Sequence, residues 1–305
     1  MKIYDTITEL IGGTPLMRLH GLEEDSGAKA EIIAKLEYFN PAGSIKDRVG
    51  YNMVITAEKE GRLKKGGTII EPTSGNTGVG IAMTAAARGY RALMVMPESM
   101  SVERRKLLSA LGAELVLTPA EEGMQGSVKK AEELLEEIPG SIIAGQFYNP
   151  ANPQAHEETT GPEIWSDTDG NIDILVATFG TGGTVSGTGR YLKKMNPDIR
   201  VIGVEPAASP LVTEGHAGPH KIQGIGANFI PENLDMDVVD EVLTVTDDDA
   251  LSTMKQLAVR EGLLVGVSSG AAAKAAVDVA SREENAGKKI VVILPDTGER
   301  YLSIF

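Results

Sequence analysis

The chain has no cysteine among its 305 residues. Disulfide bonds, thiolate metal sites and a cysteine nucleophile are therefore excluded. HExxH spacing is absent from its four histidines, so the sequence predicts no metal site; these are His20, His156, His216 and His220. No apolar run approaches the length of a membrane span, and the first residues resemble no signal peptide. We therefore expect a cytoplasmic protein that is neither secreted nor inserted in a membrane.

Positive charge is also scarce. The chain has 29 lysines and arginines against 43 aspartates and glutamates, which gives a formal net charge of -14. Nucleic acids and anionic membranes are bound through basic faces, so neither is predicted as a partner. With 42% hydrophobic residues the chain has the composition of a soluble globular protein, and 305 residues suffice for two domains with separate cores.

Short β-rich runs alternate with amphipathic helical patterns along the chain. Strands are predicted at residues 31–36, 68–70, 92–96, 114–117, 174–177, 201–204 and 290–294. Helices are predicted at residues 77–88, 102–111, 125–138, 185–195 and 247–261. Such alternation implies right-handed crossovers and parallel sheets with helices on both faces. The predicted fold class is therefore α/β.

Two Asn-Pro steps interrupt this alternation at residues 149–153, and we place a domain boundary there. The predicted division is a smaller domain of residues 45–150 and a larger domain of residues 1–44 and 151–305. Ligands of parallel sheets bind outside the carboxyl ends of the strands. We therefore expect the functional loops to line a cleft between the two domains.

Residues 40–48, Asn-Pro-Ala-Gly-Ser-Ile-Lys-Asp-Arg, place Lys46 after a turn, on the first turn of a predicted helix. The helix dipole disfavours an ammonium there, and in a dry site the neutral amine becomes accessible near pH 7. A neutral amine can form a Schiff base with a carbonyl group. The alternative interpretation is a solvated helix end, in which Lys46 is flanked by Asp47 and Arg48.

Residues 180–184, Gly-Thr-Gly-Gly-Thr, follow a predicted strand and open a predicted helix. Converging backbone amides, the helix N-terminus and two threonine hydroxyls suit a phosphate monoester. The loop does not match the dinucleotide pattern, because Val185 occupies the place of the third glycine, and no Walker A sequence occurs. The alternative is a tight strand-to-helix turn that binds nothing.

Two further loops carry amides and hydroxyls. Residues 73–78, Thr-Ser-Gly-Asn-Thr-Gly, suit a carboxylate, and the alternative is a turn capped by Thr77. Residues 266–270, Gly-Val-Ser-Ser-Gly, fit the GxSxG pattern of serine hydrolases. That fold needs its histidine after the serine, whereas every histidine here precedes Ser268. We therefore interpret Ser268 as the cap of the next helix, with its hydroxyl available to a ligand.

In their chain order, which is 40–48, 73–78, 180–184 and 266–270, the four motifs resemble those of the fold-type II pyridoxal phosphate enzymes, which share the tryptophan synthase β-like fold. Within that family the likeness is greatest to the cysteine synthases, or O-acetylserine sulfhydrylases. It continues through residues 11–16, 97–106, 156–165 and 294–301, and so extends over essentially the whole chain. The resemblance implies two parallel-sheet α/β domains with pyridoxal 5'-phosphate in the cleft between them. It also implies a homodimer in which the smaller domain is mobile.

The resemblance assigns a role to each motif. Lys46 is the lysine that binds the cofactor covalently, and Asn76 contacts the phenolic oxygen. The cofactor phosphate is held by the glycine-rich loop, which consists of Gly180, Thr181, Gly182, Gly183 and Thr184. The substrate carboxylate is held by Thr73, Ser74, Thr77 and Gln146. Ser268 faces the pyridine nitrogen with a neutral hydroxyl, which weakens the ring as an electron sink and favours loss of a β substituent over transamination.

The reaction implied is a ping-pong β-replacement that makes cysteine from O-acetylserine and sulfide and releases acetate. Lys46 removes the α-proton in the first half-reaction and returns it in the second. Two alternatives use the same chemistry, namely replacement with homocysteine, as in cystathionine β-synthase, and replacement that yields lanthionine or sulfide. A third is a non-catalytic binding partner of serine acetyltransferase, whose C-terminal tail is an expected ligand of this family.

Three positions depart from the family pattern, namely Ala42, Phe179 and Asn228. Asn228 occupies a place often held by glycine, and we expect it to narrow or redirect the substrate cleft. The thiosulfate-using isozyme is disfavoured, because residues 226–227 are Gly-Ala where that isozyme carries arginines.

Overall fold

The computed structural model describes residues 3–305, and the elements below are those of this range. The strands are β1 Leu16–Arg18, β2 Glu31–Leu36, β3 Thr68–Pro72, β4 Arg91–Pro97, β5 Glu114–Thr118, β6 Ile142–Ile143, β7 Ile174–Thr178, β8 Arg200–Pro206, β9 Glu241–Val245 and β10 Lys289–Leu294. The α-helices are α1 His20–Ser26, α2 Lys46–Lys59, α3 Asn76–Arg88, α4 Val102–Ala110, α5 Gly123–Glu137, α6 Ala151–Ala155, α7 Gly161–Asp167, α8 Gly183–Met195, α9 Leu211–Glu214, α10 Asp247–Glu261 and α11 Val267–Ala280. A π-helical segment, His156–Thr160, joins α6 to α7. Within residues 3–305, no helix has the length and apolar character needed to cross a bilayer.

The chain divides into two compact units. The smaller unit comprises the residues up to Ile11 together with Asn40–Asn152, and the larger unit comprises Gly12–Phe39 and Pro153–Phe305. These boundaries lie a few residues from the predicted ones, and the residues up to Ile11 join the smaller unit instead of the larger. Mobility of the smaller domain stays a prediction.

Hydrogen bonds explain where the smaller unit begins and ends. The amide of Ala42 donates to Asp47 Oδ2 at 2.7 Å, so the turn before α2 stays with that helix. At the other boundary, Asn52 Nδ2 donates to the carbonyl of Ala151 at 2.7 Å, and Asn152 Nδ2 donates to the carbonyl of Gln146 at 2.7 Å. Residues on both sides of the predicted limits are thus bonded into the smaller unit.

The smaller unit contains a four-stranded parallel sheet in the order β5-β4-β3-β6. Alternate residues of its strands pack on opposite faces, as the two-residue period of a strand requires. Ile69 and Met94 pack on one face with residues of α2 and α3. Ile70 and Leu93 pack on the other face with residues of α5. This sheet is parallel and covered on both faces, as predicted.

The larger unit contains a six-stranded sheet in the order β1-β2-β10-β7-β8-β9. All its pairs are parallel except β1 with β2, which is antiparallel and pairs Met17 with Ala34. The sheet is therefore parallel as predicted, with one antiparallel strand, β1, added at its edge. The core on one face includes the alanine-rich helix α11, and Gly270 lets it meet α10 closely, because an added Cβ would contact the carbonyl of Ala250.

The α/β class with parallel-sheet domains is confirmed. The predicted limits of β2 and α10 coincide with the observed ones, and the other predicted elements deviate by at most two residues at either end. The short strands β1, β6 and β9 were missed. The motifs at residues 73–78 and 180–184 follow β3 and β7, one strand in each sheet.

Candidate active site

Lys46 is the first residue of α2, in the smaller unit. Its backbone amide donates to Ser44 Oγ at 3.2 Å, and the amide of Asp47 donates to the carbonyl of Ser44 at 3.2 Å. The buried Asp47 carboxylate in turn accepts the Ala42 amide. The predicted position of Lys46, on the first turn of a helix after a turn, is confirmed. Since Ala42 contributes its backbone amide to this turn, its departure from the family pattern leaves the bond intact.

Helices α2 and α3 cross with their backbones in contact at two glycines. An added Cβ on Gly50 would lie 2.6 Å from the carbonyl carbon of Gly80, and one on Gly80 would run into the carbonyl oxygen of Lys46. Only glycine leaves room for such an approach. The crossing therefore packs the N-terminal half of α3 against Lys46. Sequence reasoning missed this contact, although glycines inside helices, which cost about 1 kcal/mol each relative to alanine, were a signal.

The loop at residues 73–75 joins β3 to α3 and is bonded from two sides. Thr73 Oγ1 accepts the amide of Gly75 at 3.2 Å, and the amide of Thr73 donates to the carbonyl of Val95 at 3.0 Å. Arg104 of α4 donates through Nη1 to the carbonyl of Ser74 at 2.9 Å. Arg104 was not singled out in the sequence, because its partner lies 30 residues away.

Asn76 and Thr77 are the first two residues of α3. The alternative in which Thr77 caps this helix is wrong, because Gly75 is the N-cap and the Thr77 hydroxyl bonds elsewhere. Thr77 Oγ1 donates to Gln146 Oε1 at 2.5 Å. The structure thus joins two of the predicted carboxylate-binding residues, Thr77 and Gln146, although they are 69 residues apart.

A buried carboxylate, Glu71, lies behind Gln146. Glu71 Oε2 accepts the amide of Gly145 at 2.7 Å, and Oε1 accepts the amide of Gln146 at 3.3 Å. Burial raises the pKa of Glu71 to about 7, against the opposing effect of the bonds from Gly145 and from the backbone and side chain of Gln146. Sequence reasoning missed Glu71, although a carboxylate in the apolar run Thr-Ile-Ile-Glu-Pro was a signal.

The glycine-rich loop connects β7 to α8 in the larger unit. Helix α8 begins at Gly183, and its N-cap Gly182 has φ of +80°, a conformation that favours glycine. An added Cβ on Gly182 would lie 2.6 Å from Leu234 Cα, and one on Gly180 would meet the carbonyl oxygen of Gly224. The loop is therefore closely packed, and it ends at a helix N-terminus, which suits an anion.

The two threonines of this loop, Thr181 and Thr184, are buried. Thr184 Oγ1 lies 3.3 Å from Nε2 of His156, and His156 Nδ1 lies 3.0 Å from Oγ1 of Thr160. The imidazole is fully buried, and its contact with Thr184 fixes the orientation of that hydroxyl. His156 was noticed in the sequence only as part of a resembling segment, because nothing in the spacing of 28 residues predicts its contact with Thr184.

Ser268 is the second residue of α11, and Gly266 is the N-cap, so the interpretation of Ser268 as the cap is wrong. Ser268 is buried in the larger unit. An added Cβ on Gly224 would lie 3.9 Å from Ser268 Oγ, and the carbonyl of Gly224 faces Gly180. Gly224 therefore lies between Gly180 and Ser268, which brings the glycine-rich loop and the serine to one place.

The other two departures from the family pattern also have a structural setting. Asn228 has φ of +63°, a left-handed conformation that glycine and asparagine adopt most readily, and its Oδ1 accepts from Ser209 Oγ at 3.2 Å. Asn228 and Phe179 line a cavity beside Gly180. The Phe179 ring packs on Gly203, where an added Cβ would lie 2.9 Å from it. The effect of Asn228 on substrate stays a prediction.

A family model described as "Pyridoxal-phosphate dependent enzyme" matches residues 7–296. The chain belongs to this family. A cysteine synthase from Staphylococcus aureus strain Mu50 is 51% identical over 303 residues, which cover 99% of this chain and 96% of that protein. The recognition made from the four motifs is confirmed, and so is its pyridoxal phosphate cofactor.

Solved structures of several enzymes superpose closely on this chain. A cysteine synthase from Entamoeba histolytica superposes with a TM-score of 0.96 at 47% identity, over 99% of this chain and 90% of that one. A hydrogen sulfide-producing enzyme from Fusobacterium nucleatum superposes with a TM-score of 0.92 at 44% identity, over 98% of this chain and 100% of that one. An O-ureido-L-serine synthase superposes with a TM-score of 0.94 at 43% identity, over 99% of this chain and 94% of that one.

The residues present fit the cofactor of this family. Its aldehyde needs an amine, its phosphate needs an anion site, and its ring nitrogen needs a polar partner. The smaller unit offers Lys46 at a helix N-terminus. The larger unit offers the loop of residues 180–184, with two buried hydroxyls and a helix N-terminus, and Ser268 beside it. The donor chemistry therefore matches each part of the cofactor.

Proposed function

We propose that this chain is a pyridoxal phosphate-dependent transferase that makes L-cysteine from O-acetylserine and sulfide with release of acetate. The observation that carries the proposal is the 51% identity to a cysteine synthase over 99% of the chain. The superposition with the Entamoeba histolytica cysteine synthase, at a TM-score of 0.96, supports it. The chain also contains the four motifs on which the resemblance rests.

We assign each part of the cofactor to one of the motif residues. Lys46 would bind the aldehyde, Asn76 the phenolic oxygen and Ser268 the ring nitrogen. The phosphate would be held by Gly180, Thr181, Gly182, Gly183 and Thr184. When bound, the cofactor supplies an electron sink that lets the amino acid lose its α-proton and then its β substituent. The Lys46 amine takes that proton and later returns it, which is the work of a positioned base and acid.

The substrate carboxylate is assigned to four residues of the smaller unit, namely Thr73, Ser74, Thr77 and Gln146. Two features support this assignment. The loop lies at the N-terminus of α3, where the helix dipole favours an anion. The Gln146 carboxamide is held in place by the Thr77 hydroxyl, so its orientation is fixed before substrate arrives.

Ser268 sets the kind of reaction. A neutral hydroxyl does not hold the ring nitrogen protonated as a carboxylate does, so the electron sink is weaker. Loss of a good leaving group such as acetate would then be favoured. Ser268 thus favours β-replacement over racemisation and transamination.

Borohydride reduction followed by peptide mass analysis tests the cofactor assignment. We expect a reduced adduct on the peptide that contains Lys46 and none in the Lys46→Arg variant. Purified wild-type protein should also change its visible spectrum on addition of O-acetylserine and form cysteine when sulfide follows. An adduct on a different lysine would overturn the residue assignment, and absence of cysteine would overturn the reaction.

A second candidate is sulfide production by the same β-replacement chemistry. It is favoured by the likeness to the Fusobacterium nucleatum enzyme, which is described as hydrogen sulfide-producing and is 44% identical. Sulfide release from cysteine alone and from cysteine with homocysteine would measure this activity and the cystathionine-forming one. The primary proposal requires faster turnover of O-acetylserine with sulfide than of either alternative pair.

We also propose a cytoplasmic homodimer that binds the C-terminal tail of serine acetyltransferase. The net charge of -14 is consistent with a soluble protein in the cytoplasm. A peptide tail ends in a carboxylate, and the proposed carboxylate site of Thr73, Ser74, Thr77 and Gln146 would accept it. Light scattering would give the molar mass and so test whether the protein is a dimer. Competition between a synthetic tail peptide and O-acetylserine would test whether the tail binds at this site.

A further inference from the structure

Glu71 is a carboxylate with no role in the chemistry described above. It lies on β3, and only 1% of its surface is exposed. Among residues 3–305, its side-chain hydrogen bonds come from two consecutive residues, Gly145 and Gln146. A buried carboxylate without a cationic partner is costly, so bonds to the same short turn call for an explanation.

The bonds of Glu71 continue to the proposed carboxylate site. The carboxylate accepts the backbone amides of Gly145 and Gln146 and a side-chain hydrogen bond from Gln146. The Gln146 carboxamide in turn accepts the Thr77 hydroxyl at 2.5 Å. Glu71 therefore fixes the backbone and the side chain of Gln146, and through it the hydroxyl of Thr77.

The turn at Gly145 needs such an anchor. Gly145 has φ of +76°, and an added Cβ would lie 2.5 Å from the Tyr148 ring. Both amides that point at Glu71 are buried, so each must find an acceptor. A glutamine at position 71 has one carbonyl oxygen and an NH2 group, which cannot accept a hydrogen bond. At least one amide would then lose its partner, and the turn would shift.

We propose that Glu71 is a positioning residue, whose carboxylate holds Gln146 in the orientation that binds O-acetylserine. This inference rests on the proposed function, because it takes Gln146 as a ligand of the substrate carboxylate. Glu71 does not touch the reacting atoms. Loss of the Glu71 carboxylate is expected to weaken binding of O-acetylserine, while binding of the cofactor and use of sulfide stay unchanged.

The test compares the E71Q holoenzyme with wild type and with a matched control, E58Q. Glu58 is bonded to Arg88 near the end of α2, in the same unit, and has no bond to Gln146. Its replacement makes the same change of side chain, from a carboxyl group to a carboxamide. For E71Q we expect the KM for O-acetylserine to rise about 10- to 100-fold, which is the effect of unpairing a buried hydrogen bond to a charged group. The KM for sulfide and the visible spectrum of the bound cofactor should keep their wild-type values, and E58Q should match wild type throughout.

Two further measurements separate positioning from a general loss of stability. Hydrogen exchange followed by mass spectrometry should be faster at residues 142–149 in E71Q, and unchanged there in E58Q, even without cofactor. In a double-mutant cycle, E71Q should add nothing to the loss already caused by Q146A, because the two act as one unit. Losses that add would overturn the inference.

The remaining outcomes are also decisive. A wild-type holoenzyme that does not respond to O-acetylserine overturns the proposed function and this inference with it. A responsive wild type with an unchanged KM in E71Q overturns this inference alone. If E71Q does not fold, Glu71→Asp takes its place, because a carboxylate one methylene shorter must draw the Gly145–Gln146 turn after it. A raised KM for O-acetylserine then supports the inference, and a wild-type KM overturns it.

Discussion

Replacement of Gly80 by alanine tests the crossing of α2 and α3. The new methyl group would run into the carbonyl oxygen of Lys46, which belongs to a helix backbone and not to a side chain that could turn away. Overpacking costs about 1 to 3 kcal/mol. Alanine gains about 1 kcal/mol over glycine in helix propensity. A clash with a backbone atom puts the cost in the upper part of that range, at about 2 to 3 kcal/mol, so we expect a net loss of roughly 1 to 2 kcal/mol. Retention of pyridoxal phosphate should also weaken, because the start of α2 must move.

Gly189→Ala in α8 is the matched control. There the nearest atoms to an added Cβ are the Val201 methyls at 3.3 Å, so the propensity gain should prevail or balance a small repacking. Urea unfolding followed by circular dichroism gives the stability, and dialysis followed by cofactor absorbance gives retention. A close crossing of α2 and α3 at Gly80 is contradicted if G80A unfolds at the wild-type urea concentration and keeps its cofactor equally well.

Other predictions concern four side chains, of which Lys46 and Ser268 are compared with each other. Lys46→Ala should lower the steady-state rate by at least about 10²- to 10⁴-fold. Ser268→Ala should lower it only about 2- to 12-fold, the effect of one neutral hydrogen bond, and equal losses would contradict this ranking. The pKa of Glu71 is about 7 in the folded protein and 4.5 in the unfolded chain. The free energy of unfolding of wild type should therefore fall by roughly 3 kcal/mol relative to that of E71Q as the pH rises from 4.5 to 7. Parallel curves of stability against pH for the two proteins would contradict this. The bond from Arg282 lowers the pKa of Glu241, so Glu241→Gln should lower the melting temperature at pH 7, with the difference from wild type vanishing as pH falls below 4.5, which thermal scans would check.

Elements with strong local signals were predicted well. The limits of α10 coincide with those observed, because its ends carry clear chemistry: Thr246 Oγ1 accepts the amide of Asp249 at 3.1 Å, and Gly262 follows with φ of +68°. The missed strands lack such signals. Strand β6 has two residues, and β9 is an edge strand with only Val245 buried, so neither presents a clear pattern.

The motif loops were found because their chemistry is contiguous in the sequence. The residues that support them were missed because their contacts are distant. Glu71 meets Gly145 across 74 positions, and His156 meets Thr184 across 28. The predictions that Thr77 and Ser268 cap helices were also wrong, because the N-caps of α3 and α11 are Gly75 and Gly266. Both side chains are therefore available for other contacts. Local patterns thus locate a binding loop, but not what holds it.

The route of the chain through its sheets bears on how the protein is made. Strand β2 ends at Leu36, yet its parallel neighbour β10 begins only at Lys289, whereas every strand of the smaller unit lies between Thr68 and Ile143. Pairing over so long a stretch is slow, and domains complete their folding as their residues emerge from the ribosome. The smaller unit can therefore be complete during translation, while one edge of β2 stays unpaired until β10 has been synthesised.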